Sequence, residues 1–149
     1  MESVAQVLDR KGYEIYSVDP DAKVFEALQI MAEKEVGALL VLTNENVVGI
    51  FSERDYARKV VLLGKSSKDL AVKSIMSTRI FYVTPEQSIE DCMNILIKKR
   101  IRHLPVLKDN KLLGVISIGD IVKALIGEKE FMIDQLVHYI TGTASVGDN

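Results

Sequence analysis

The sequence has little of what marks a secreted, membrane-spanning or nucleic-acid-binding chain. Cys92 is the only cysteine in 149 residues, so no intramolecular disulfide can form and the expected compartment is the reducing cytoplasm. Tryptophan is absent and aromatic residues make up 6%, which leaves few stacking platforms for single-stranded nucleic acid. The formal net charge is −2, so no overall basic field attracts nucleic acid or acidic membranes. The longest wholly apolar run, residues 36–42, is far shorter than the roughly 20 residues of a membrane span. The start, Met1-Glu2-Ser3, lacks the basic and apolar regions of a secretory signal. Two histidines and one cysteine form no zinc spacing, so no metal is expected. No nucleophile–base pair stands out, and Gly64-Lys65-Ser66 has only the tail of a phosphate-binding loop, without its first glycine. Catalysis is therefore not expected.

What remains is the balance of a folded chain, 48% hydrophobic and 27% charged. A chain of this size buries roughly 70% of its unfolded surface and needs no covalent staple. Its main feature is a duplication. A shift of 65 residues lays residues 18–60 on 83–125 without a gap. Pro20/Pro85, Gly49/Gly114, Ser52/Ser117 and Asp55/Asp120 then coincide, as do Val18/Val83, Leu39/Leu104, Val41/Val106 and Leu42/Leu107. Shared apolar positions alone could arise by accident, but a matched Gly–Ser–Asp set in one register is much harder to explain that way.

Each copy reads as β-α-β-β-α. A short strand (15–18, then 81–83) ends in a proline turn. Val24, Ala27, Leu28 and Met31 mark one face of a helix, and Ile89, Cys92, Met93 and Leu96 repeat it. Strands over 38–42 and 47–51, and over 103–107 and 112–116, flank polar turns and form hairpins. A second helix follows at about 53–63 and 119–126. Each copy is preceded by a small helix, carried by Val4, Val7 and Leu8 and by Val72, Ile75 and Met76. The spacing predicts a separate amphipathic helix over 128–140 and a frayed polar tail over 141–149. The expected organisation is one repeat over 1–66, a second over 67–130, and a terminal helix and tail over 131–149. Each unit is marginal alone, so the two should pack in pseudo-twofold fashion and leave clefts at their junction.

These motifs, V-D-P…G-A-L-L-V-L…V-V-G-I-F-S-E-R-D and V-T-P…R-H-L-P-V-L…L-L-G-V-I-S-I-G-D, resemble those of the cystathionine-beta-synthase (CBS) domain pair. The resemblance covers roughly residues 3–130. It implies an α/β (α+β) fold and a sensory module for adenosyl ligands: AMP, ADP, ATP, NAD(H) or S-adenosylmethionine. It also implies a homodimer, and a regulated partner protein contacted in trans.

Asp55 and Asp120 each lie three residues after a serine at a strand end. A carboxylate there can hold the cis-diol of a ribose, the role the family gives it. Ser-x-x-Asp is equally a capping box, and the two roles can coexist. Ser52 and Ser117 can cap those helices or help bind phosphate. The resemblance places a phosphate near Arg102 and His103, where the first copy has Gly37 and Ala38, so the two sites should differ in phosphate preference. Arg54 and Arg58 could grip phosphates or pair with surface acids. Lys11 and Arg79 precede first strands and could line the same cleft. Val18, Leu39, Phe51, Val83, Leu104 and Ile116 are candidates for an apolar adenine slot, or are simply core. Cys92 matches Ala27 and reads as packing. The competing reading is a scaffold whose clefts stay empty.

Overall fold

Both hairpins turn on two residues with positive φ: Asn44 (48°) and Glu45 (70°), then Asp109 (51°) and Asn110 (63°). Two such residues in succession match the right-handed twist of the flanking strands and set a tight connection. Ala38 thereby pairs with Ser52 and Thr43 with Asn46, and His103 pairs with Ser117 and Lys108 with Lys111. Each ladder slips at the same place, after Val41 and after Val106.

The computed structural model describes residues 2–141. In chain order the elements are α1 (Val4–Lys11), β1 (Ser17–Val18), α2 (Val24–Lys34), β2 (Ala38–Thr43), β3 (Asn46–Ser52), α3 (Glu53–Tyr56), α4 (Ile89–Lys99), β4 (His103–Lys108), β5 (Lys111–Ser117) and α5 (Ile118–Thr141). After α3 the chain widens into one π-helical turn, Ala57–Val61. The first sheet has the order β1-β2-β3, with β1 parallel to β2. The result is the expected mixed α/β pair of repeats.

Three expectations need correction. The second copy's first strand is reduced to a single bridge, Val83 with Val106. In the first copy the Leu40 N–H donates to Tyr16 O at 3.2 Å. The matching residue is Pro105, which has no N–H, so that rung cannot form. The helix expected around 72–76 is only a 3-10 turn, Val72–Ser74. The two terminal helices are one: α5 runs unbroken through Gly127. A glycine costs a helix about 1 kcal/mol, and with no proline beside it that cost does not end the run. The polar tail, from residue 142, lies outside the described residues.

Two cores form, and each is completed by the segment that leads into the other repeat. Val4, Val7 and Leu8 of α1 pack with Val83, Ile89, Leu104 and Ile116. Val72 and Ile75 pack with Val24, Leu39 and Phe51. Backbone bonds seal the exchange: Val4 N–H to Gln87 O at 2.8 Å, and Val72 N–H to Ala22 O at 2.8 Å. The repeated glycines are explained by the same exchange. A Cβ on Gly49 would lie 2.5 Å from Met76 Sδ, and one on Gly114 would lie 3.0 Å from Leu8 Cδ2. The leader segments cross the sheets where there is no side chain. With β3 against β5, the halves meet in pseudo-twofold fashion.

Candidate functional site

Strand parity decides what faces the junction. Side chains alternate across a strand, so Leu39, Val41 and Phe51 enter the first repeat's core while Leu40 and Ile50 point the other way. The same alternation buries Leu104, Val106 and Ile116 and sends Val115 outward. Two clefts open between the repeats. The first, about 350 Å³, is walled by Tyr16, Val36 and Leu40 of the first repeat and by His103, Val115 and Ser117 of the second. The other, about 370 Å³, is walled by Phe81, Ile101, Arg102 and His103 of the second repeat and by Ser52, Arg54 and Asp55 of the first. Each is large enough for a small organic ligand. Gly37, Ile50 and His103 border both.

The helix that carries each aspartate starts with a reciprocal cap. The Asp55 N–H donates to Ser52 Oγ at 3.2 Å, and the Ser52 N–H donates back to Asp55 Oδ2 at 3.0 Å. The Asp120 N–H likewise donates to Ser117 Oγ at 3.2 Å, and Ser117 N–H to Asp120 Oδ2 at 2.8 Å. The capping role is therefore present at both sites. Each carboxylate also has a lysine: Lys59 Nζ is 3.1 Å from Asp55 Oδ1, and Lys11 Nζ is 2.6 Å from Asp120 Oδ2. Burial raises the affinity of Asp120 for its proton. The Lys11 and Ser117 hydrogen bonds outweigh that effect and hold the carboxyl below its ordinary value. His103 is shifted down, chiefly by burial and then by the charge of Lys11, which favours the neutral imidazole.

The expected residues fall into three groups. Ser52, Arg54, Asp55, Arg79, Arg102 and His103 gather around the second cleft. Lys11, Leu39, Ser117 and His103 line the first, with Asp120 hydrogen-bonded to both Lys11 and Ser117. Arg58 is exposed and lines neither. Among the adenine candidates Val18, Phe51, Val83, Leu104 and Ile116 are core residues that line neither cleft. Phe51, Leu104 and Ile116 sit one step from the junction-facing Ile50, His103 and Val115, and a single step moves a strand residue to the opposite face. The apolar walls are instead Tyr16 and Val36, and Phe81 and Ile101, at matching positions of the two copies. Glu14, Glu35 and Arg100 are further lining residues. The repeat alignment pairs Glu35 with Arg100, and the same 65-residue offset carried four residues upstream pairs Glu14 with Arg79; this was the available signal for them.

A family model described as CBS domain matches residues 4–62 and 72–127. The chain is 39% identical over 127 residues to the "CBS domain-containing protein CBSX3, mitochondrial" of Arabidopsis thaliana, covering 82% of this chain and 62% of that protein. The match thus spans less than two thirds of that relative's length. Among solved structures, a putative signal-transduction protein with CBS domains from Burkholderia ambifaria is 48% identical, with a TM-score of 0.82 over 85% of this chain and 95% of that one. The CBS domain pair of protein MJ0100, solved with 5′-methylthioadenosine and S-adenosyl-L-methionine, shares the fold at 18% identity and a TM-score of 0.75, over 86% of this chain and 98% of that one.

Proposed function

The chain belongs to the CBS-domain family, and we propose that it is a non-catalytic regulatory module that binds an adenosyl ligand between its repeats and acts on a partner protein in trans. The observation that carries this reading is the duplicated Ser–Asp pair beside the two inter-repeat clefts. At Asp120 both bonds described above fall on Oδ2, so Oδ1 is the oxygen available to a ribose diol. A bound adenine would lie against Tyr16 and Val36, or against Phe81 and Ile101. Phosphates of AMP, ADP, ATP or NAD(H) would meet Arg54, Arg79 and Arg102. The adenosyl ligands of the MJ0100 pair belong to the same chemical class.

Calorimetric titration of the full chain with AMP, ATP, NADH and S-adenosylmethionine tests this reading. Binding in the micromolar-to-millimolar range is expected, with Asp55→Ala and Asp120→Ala each abolishing binding in its own cleft. Silence from all four ligands overturns it. One observation favours a scaffold with empty clefts instead: both aspartates already have partners within the protein. That alternative requires that no ligand raises the melting temperature.

We also propose a homodimer, on the strength of the large apolar side chains that stay exposed: Leu62 (76%), Leu63 (60%) and Ile126 (50%). Light scattering behind a sizing column should give twice the chain mass. Among the described residues no helix is long and apolar enough to cross a membrane.

A further inference from the structure

On the reading that each cleft holds an adenosyl ligand, we propose that the two clefts select opposite charge. The cleft bordered by arginines takes nucleoside polyphosphates. The other takes an unphosphorylated nucleoside, preferentially one carrying a cation on its 5′ substituent.

The argument rests on position-by-position equivalence. The duplication places corresponding residues on the walls of the two clefts, so their charges can be compared pair by pair. Where the first cleft has Glu14, the second has Arg79, and Glu35 is replaced by Arg100. Glu35 and Arg100 are the cleanest comparison. Each is the left-handed residue that ends its helix, with φ 55° and ψ 45° at Glu35 and φ 56° and ψ 45° at Arg100. The backbone therefore presents opposite charges from one geometry. Gly37 in the first copy corresponds to Arg102, and Gly119 in the second copy corresponds to Arg54. Each of these differences makes the second cleft more positive.

The lysine of the first cleft does not restore the balance. Lys11 Nζ is held by Asp120 Oδ2 at 2.6 Å and by Val115 O at 2.8 Å. Its charge is matched by that aspartate, while Glu14 and Glu35 remain on the wall. A triphosphate placed there would face two carboxylates of its own sign, and like charges repel. In the second cleft Arg54, Arg79, Arg100 and Arg102 outnumber Glu53 and Asp55. The planar guanidinium is suited to bidentate contact with phosphate. The Arg54 guanidinium also donates from Nη1 to Arg100 O at 3.3 Å, which places two of the arginines together across the junction.

The test is titration of the full chain with ATP and with S-adenosylmethionine, a sulfonium nucleoside, separately and then together. Two double variants accompany the wild type: Glu14→Gln with Glu35→Gln, and Arg100→Ala with Arg102→Ala. All four side chains belong to exposed residues, so folding should survive, and a thermal melt checks it. The arginine variant should weaken ATP at least tenfold, about 1.4 kcal/mol, and leave S-adenosylmethionine unchanged. The glutamine variant should do the reverse. Saturating ATP should not displace S-adenosylmethionine. If both ligands bind but compete for one cleft, or if either double variant weakens both equally, the charge assignment is overturned while the adenosyl reading stands. If neither ligand binds the wild type, both fail together.

Discussion

Lys11 Nζ lies 2.6 Å from Asp120 Oδ2, which fastens the end of α1 to the start of α5 across the whole length of the sequence. The pair is partly solvated, with side chains 33% and 19% exposed, so its contribution is that of a screened surface pair, about 1 kcal/mol or less. Lys11→Ala should therefore lower the melting temperature by no more than about 2–4 °C in a chain of this size. Differential scanning fluorimetry reads this directly, and a rise would remove the pair from the account of stability.

Gly49 should be less tolerant than its counterpart. At Gly49 a Cβ would lie 2.5 Å from Met76 Sδ and 3.0 Å from the Ser77 carbonyl oxygen, part of a backbone that cannot turn aside. At Gly114 its three nearest neighbours are all atoms of the Leu8 side chain, none closer than 3.0 Å. Gly49→Ala is expected to cost about 1–3 kcal/mol, and Gly114→Ala less. Urea unfolding of both variants provides the comparison.

Cys92 should behave as a core atom rather than a reagent. Burial, reinforced by the neighbouring Asp91 charge, pushes its thiol up to about 11. A thiol-specific chromogenic reagent should fail to label the native protein at pH 8 and should label one thiol per chain in urea. Rapid native labelling would show that the second core opens readily.

Acid should weaken the fold in two stages. The His103 imidazole is depressed by burial, so in the unfolded chain it takes its proton near its ordinary value of about 6.5 while the folded chain resists. The unfolded state then binds more protons, and stability declines as pH falls from about 6.5 towards the folded value. Asp120 is also held below its ordinary value. Its contribution is present above the unfolded carboxylate value and disappears as pH falls through the lower, folded one. Melting temperatures across pH 3–8 should show both steps, and His103→Gln should remove the upper one.

The helices α2 and α4 were readable because apolar residues recur at helical spacing, and the hairpins because polar turns interrupt alternating strands. The Ser–Asp pairs could be found through the duplication. The lining of the clefts was harder to read. Leu39 and Leu40 are both apolar, both buried and both border the first cleft, so composition does not reveal that Leu39 belongs to the core while Leu40 points the other way. Phe51 and Ile116 looked suitable for a ligand because they are large and apolar, the same property that places them in the cores.

The sequence by itself determined that there are two copies of one α/β unit, where α2, α4 and the hairpins lie, and which positions differ in charge between the copies. These are local or self-referential properties, expressed in periodicity, turn chemistry and a single alignment offset. Only the tertiary structure decided that α1 completes the second core while Val72 and Ile75 complete the first, and that Lys11 reaches Asp120. It also decided that each cleft takes one wall from each repeat. Such contacts join residues far apart in the chain, and which of them form depends on how two whole surfaces fit together.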